Sequence, residues 1–135
     1  MKKHKFESLI RFIKLDGVKE FKDTDPSLFS EDGISTTTME VENNKTATVT
    51  MDDARNACQK FLNNEISLFQ LQQWGEWIHM MDFFDLIPNG DQPDNDETLI
   101  EIITQIDMLD LENITNAKTK VKEILKNIND WSRIH

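Results

Sequence analysis

Six carboxylates stand close together along the middle of the chain: Asp82, Asp85, Asp91, Asp94, Asp96 and Glu101. Acids grouped in this way can bind a cation, exchange protons with a substrate, or face a basic partner. Oxygen ligands suit calcium, but the EF-hand order needs an acid or amide two residues after its first Asp. Pro93 stands there, and the motif's glycine is missing. No metal or cofactor is expected from this loop. Proton transfer would need a carboxyl group of shifted acidity in a pocket, and no other catalytic pattern supports it: there is no phosphate-cradling glycine loop, zinc-ligand spacing or nucleophile elbow. Of the histidines, His4 and His135 lie near the ends, and His79 lies among Trp77, Met80 and Met81, the setting of a residue at a core edge. The single cysteine, Cys58, falls in an apolar stripe and reads as a small buried residue. Contact with a basic partner and plain solvation are the roles left to the acids, and helix capping also explains Asp94.

The charge distribution points the same way. Residues 1–22 carry seven Lys/Arg against three acids, and residues 118–135 carry five against two. Residues 23–117 hold three against twenty, a net −17 within a chain of net −10. Such a field repels nucleic acid phosphates, which disfavours direct nucleic acid binding, and accelerates encounter with a basic protein. With 38% hydrophobic and 30% charged residues, 135 residues suit one soluble domain. No apolar run approaches the roughly 18 residues of a membrane span. The lysine-rich start lacks a cleavable leader pattern and one cysteine gives no sign of oxidising conditions, so the expected compartment is the cytoplasm.

The elements that must position these groups are mainly helical. FESLIRFIKLDG fits a short helix using Phe6, Leu9, Ile10 and Ile13, although the same letters fit a strand. KDTDPSLFSEDG is rich in turn formers. The Thr- and Val-rich runs in TTTMEVENNKTATVT, separated by Glu42 to Lys45, suggest a β-hairpin over about 36–50. Thr50 can cap MDDARNACQKFLNN, whose stripe is Ala54, Ala57, Cys58, Phe61 and Leu62, and Asn63-Asn64 ends it. Ser67 and Gln70 have capping-box spacing for the next helix, where Leu68, Leu71, Gly75 and Ile78 share a face. Gly75 is explained by another backbone passing close. Trp74 reads as core, and Trp77 as core edge or partner contact.

The chain leaves that helix by Pro88. Asp94 with Glu97 reads as a capping box for the helix DETLIEIITQIDMLDLEN, with Leu99, Ile102, Ile103, Ile106 and Leu109 on one side. Ile100 and Met108 widen its apolar arc and imply burial against more than one neighbour. Thr115 can cap the last helix, where Ala117, Val121, Ile124, Leu125 and Ile128 oppose Lys118, Lys120, Lys122 and Lys126, and Trp131 staples its end. These elements predict a mainly α fold: an antiparallel bundle of four to five helices over residues 51–135, with residues 1–50 as an extension within a single domain.

The order FLNNEISLFQLQQWGEWI, an acidic loop, then TLIEIITQIDMLDLENITNAKTKVKEILKNI resembles small helical bacterial immunity proteins of polymorphic and contact-dependent toxin systems. The resemblance covers about residues 54–128. It implies an inhibitor that binds and neutralises a cognate toxin domain by protein contact, and it implies no enzyme activity. It does not identify the contact residues. The residues themselves add the charge: the expected partner is basic, and the expected contacts are Asp82, Asp85, Asp91, Asp94, Asp96, Glu101 and Trp77. Two other classes remain open. One is an acidic regulatory module or DNA mimic acting on a nucleic-acid-binding protein. The other is a small enzyme using a perturbed carboxylic acid.

Overall fold

In the computed structural model, the described residues are 3–4, 6–15, 40–41, 46–80, 84–89 and 97–134. They are mainly helical. Strand β1 (Lys3–His4) precedes helix α1 (Phe6–Lys14). Strands β2 (Glu40–Val41) and β3 (Ala47–Val49) lead into α2 (Met51–Leu62) and α3 (Leu68–Met80). Strand β4 (Phe84–Leu86), α4 (Thr98–Asp107) and α5 (Ile114–Ile134) complete the order. No helix among the described residues is long and apolar enough to cross a membrane.

Local chemistry explains why α2 and α3 start and stop where they do. Thr50 is extended, its hydroxyl accepts the Asp53 amide at 3.3 Å, and the Asp53 carboxylate accepts the Thr50 amide at 2.9 Å. This reciprocal cap satisfies two otherwise orphaned donors. At the other end Asn64 takes the left-handed conformation (φ 62°). That lets the Glu65 amide reach the Lys60 carbonyl at 2.8 Å and the Asn64 amide reach Phe61 at 3.0 Å, a Schellman closure. The Ser67 hydroxyl and Gln70 side chain exchange the expected pair of bonds, 3.0 and 2.8 Å, ahead of α3.

Two expected helix starts are corrected. A capping box from Asp94 needs Glu97 inside the first helical turn, but Glu97 has φ 59° and is itself the N-cap, with no side-chain cap bond, so α4 begins at Thr98. Asp94 lies outside the described residues. For α5, Asn113 does the work assigned to Thr115: its side chain accepts the Asn116 amide at 3.0 Å, which leaves Thr115 within the first turn.

The strands differ from the expected hairpin. β2 pairs in parallel with β1, and β3 pairs in parallel with β4 in the register Ala47 to Phe84 and Val49 to Leu86. A parallel pair needs a long crossover, and here α2 and α3 supply it between β3 and β4. The Ile87 amide extends the ladder to Val49 at 2.9 Å, and the Met51 amide donates to Pro88 at 3.1 Å. The hairpin's turn, residues 42–45, and the turn-rich stretch 22–33 lie outside the described residues.

The core joins α1, β3, β4 and helices α2 to α5, with α3 packed mainly on α4 and α2 mainly on α5. Ile13, Ala54, Ala57, Cys58, Leu71, Trp74, Leu99, Ile103, Ile106, Val121, Ile124 and Ile128 are buried as their spacing predicts, and Phe12 joins them. Ile10 is half-buried; the side chains of Phe6 and Leu9 lie outside those described. Trp131 packs against the core, and Arg55 of α2 ties down the same end of α5 through Asn129 (3.1 Å) and Ser132.

Burial pushes the Cys58 thiol up from 9.0 to about 12. The folded chain therefore keeps a proton that the unfolded chain releases, so this contribution is whole below pH 9 and is lost as pH climbs towards 12. Urea unfolding between pH 8 and 10.5 is expected to show a stability decline that Cys58→Ala makes shallower, and maleimide labelling at pH 8 is expected to require unfolding.

Candidate protein-binding surface

The predicted contacts do not assemble into one described site. Asp82, Asp91, Asp94 and Asp96 lie outside the described residues. Asp85 is exposed on β4, where its carboxylate accepts the Thr46 hydroxyl at 2.6 Å. Glu101 is exposed in the first turn of α4, where the helix dipole favours it. Trp77 is only 3% exposed, with its ring 6.1 Å from that of Phe12, whose ring in turn lies 6.2 Å from Phe84. Phe12 of α1 packs on Trp77, which belongs to the buried core.

The surface that does assemble is built from the α3–α4 contact outward. Gln72, Gly75 and His79 share one face of α3, spaced by three and four residues. At Gly75 a β-carbon would stand 2.6 Å from Ile106 Cγ2 and 2.9 Å from the Asp107 backbone nitrogen, so the glycine is where α4 comes closest, as its sequence position predicts. To either side of it, polar groups fasten the end of α4. The Gln72 amide donates to the Asp107 carbonyl at 3.0 Å and to its carboxylate at 3.3 Å, and His79 Nδ1 lies 2.7 Å from the other carboxylate oxygen. These bonds run from α3 to the last residue of α4, so the group acts as a joint between the two helices.

The joint holds a turn whose apolar residues face outward. Leu109 is buried, while Met108 is 77%, Leu111 44% and Ile114 49% exposed. Asp110 braces the turn by accepting the Glu112 amide at 2.9 Å. The expected burial of Ile100 and Met108 is overturned: Ile100 is 41% exposed because nothing described packs on that side of α4, and Met108 lies just beyond the helix, which ends at Asp107. Met80, next in sequence to His79, is also exposed. Single exposed apolar residues are ordinary on a protein surface; Met108, Leu111 and Ile114 concentrate three of them within seven residues of one braced turn. The acids of α4 and the turn after it, Glu97, Glu101, Asp110 and Glu112, form no ion pair among the described residues.

Sequence reasoning missed the joint because its bonds cross between helices. The signal it could have used is the pair of polar residues bracketing Gly75 on an otherwise apolar face. Gly75→Ala offers a direct check. Alanine gains about 1 kcal/mol of helix propensity, but the Asp107 backbone cannot retreat without breaking the joint, and overpacking costs about 1–3 kcal/mol. A net loss of about 1 kcal/mol in urea unfolding is expected; a gain would refute the close approach.

Among the described residues no group of three or more His, Cys, Asp or Glu is placed to hold a metal ion. Comparison with protein-family models, with curated proteins and with solved structures gives no match.

Proposed function

We propose that this protein is an inhibitory binding protein of the immunity type, which neutralises a basic toxin domain by direct contact. The observation that carries the reading is the segregation of charge, net −17 over residues 23–117 between two basic ends. An acidic middle of this strength speeds association with a cationic domain and orients it away from the lysine face of α5. A domain that acts on nucleic acid needs a basic cleft, and an acidic protein can occupy or overhang it. A pure DNA mimic would present charge alone. The exposed apolar residues beside the acids favour a protein partner that also contributes apolar side chains.

The test is growth of cells expressing the C-terminal domain of an adjacent large secreted protein, with and without this chain, together with association rates of the purified pair. The expected result is rescue and a complex whose association slows steeply as salt rises. Toxicity that the chain neither relieves nor binds would sink the reading.

A further inference from the structure

We propose that the turn between α4 and α5 is a docking site for a cationic amphipathic segment of a partner protein. Its apolar side chains would seat on Met108, Leu111 and Ile114, and its basic side chains would face Glu101, Asp110 and Glu112. The identity of that partner as a toxin rests on the inhibitor reading above; the surface rests on its own observations.

The first is apolar exposure in the wrong place for solubility alone. Met108, Leu111 and Ile114 expose large side chains within seven residues. Buried Leu109 within the segment and buried Ala117 one turn beyond it anchor it to the core. The second is preorganisation. Gln72 and His79 fix Asp107 at the start of the turn, Asp110 braces its middle, and Asn113 caps its exit. A turn held at three points loses little freedom on binding. Met108 at its crest brings an unbranched side chain that can adapt to an apolar partner surface.

The third observation selects the occupant. Between residues 97 and 117 the chain has five acids and no Lys or Arg. Four of those acids have no ionic partner among the described residues, and the fifth, Asp107, is engaged by His79. The first base is Lys118, which opens the exposed lysine face of α5 and marks the border of the site. A neutral apolar segment would leave the rim unused, and an acidic one would be repelled. A segment with an apolar stripe between basic flanks matches both the centre and the rim.

The test is a titration of the 15N-labelled full chain with a synthetic Leu/Lys amphipathic helical peptide at low salt. Its control is the same peptide with each Leu replaced by Ser, which retains the charge. Amide shifts are expected to concentrate at Ile100, Glu101 and residues 107–114 and to be lost with the Ser control. Leu111→Ser and Met108→Ser, both at exposed positions, are expected to weaken binding about tenfold each while circular dichroism stays unchanged. Equal binding of the Ser control, or shifts spread over the acidic surface and insensitive to Leu111→Ser, would overturn the site. The growth assay separates the two readings. Rescue by Leu111→Ser as complete as that of the unaltered chain would overturn the turn's part in inhibition and leave the inhibitor standing. Peptide shifts at the turn without any rescue would overturn the toxin partner and leave the docking site.

Discussion

Replacing Trp74 by alanine is expected to cost about 3–5 kcal/mol of stability, the largest loss of any single truncation considered for this chain. Trp74 has no exposed surface, and its indole NH donates at 3.2 Å to the backbone carbonyl of Ile13. Truncation therefore leaves a large cavity beside α3 and takes from the Ile13 carbonyl its buried hydrogen bond to the indole. Native domains keep only about 5–15 kcal/mol in all, so the variant should be partly unfolded in mild urea. Trp74→Phe divides the causes. It keeps most of the volume and loses the hydrogen bond, and a cost of about 1–3 kcal/mol is expected. Urea unfolding followed by circular dichroism measures both, and a loss below 1 kcal/mol for the alanine variant would refute the role given to this side chain.

The second large effect is expected at Asp53. This carboxylate is the one charged side chain buried among the described residues. Its oxygens accept from the Thr50 amide at 2.9 Å and the Thr50 hydroxyl at 3.1 Å, and pair with the Lys14 ammonium from α1. Three functions coincide: it completes the cap of α2, it satisfies the chain as it leaves β3, and it fastens α1 to α2. Asn56, one turn further along α2, adds a bond from its amide to the Lys14 carbonyl at 3.1 Å. Asp53→Ala is expected to cost about 2–4 kcal/mol, from the cap and from hydrogen bonds to a charged acceptor. The loss stays below that of a fully buried ion pair because Lys14 is half exposed and can rehydrate. Asp53→Asn keeps an acceptor for the Thr50 amide and is expected to fall between. Equal stability of all three proteins in urea would show that this carboxylate holds nothing together.

These two positions sit differently with respect to the sequence. Asp53 was legible as a first-turn acid near a Thr cap; that Lys14 meets it there was not, because an ion pair between α1 and α2 leaves no periodic trace. Trp74 was legible as core from its helical register alone. For the binding surface the order is reversed. The acids draw attention to the loop after α3, where only Asp85 falls among the described residues, and Met108, which opens the turn after α4, falls by its spacing in that helix's apolar arc.

The sequence by itself determined what neighbours within four residues decide. The Thr50–Asp53 and Ser67–Gln70 caps, the Asn64 closure and the buried stripes of α2 to α5 depend on backbone donors and side-chain directions that repeat every turn. The strong segregation of charge also needs no fold to be seen. Tertiary structure alone decided which strand β3 would join, since parallel pairing with β4 depends on where two intervening helices deliver the chain. It also decided which apolar residues would be left over. Phe12, itself packed against Phe84, covers Trp77 on one side of α3, while nothing described covers the outer side of α4, so Ile100 and Met108 face solvent with equally apolar side chains. Hydrophobicity specifies that a side chain gains by burial; whether a neighbour is there to bury it is a property of the packed whole.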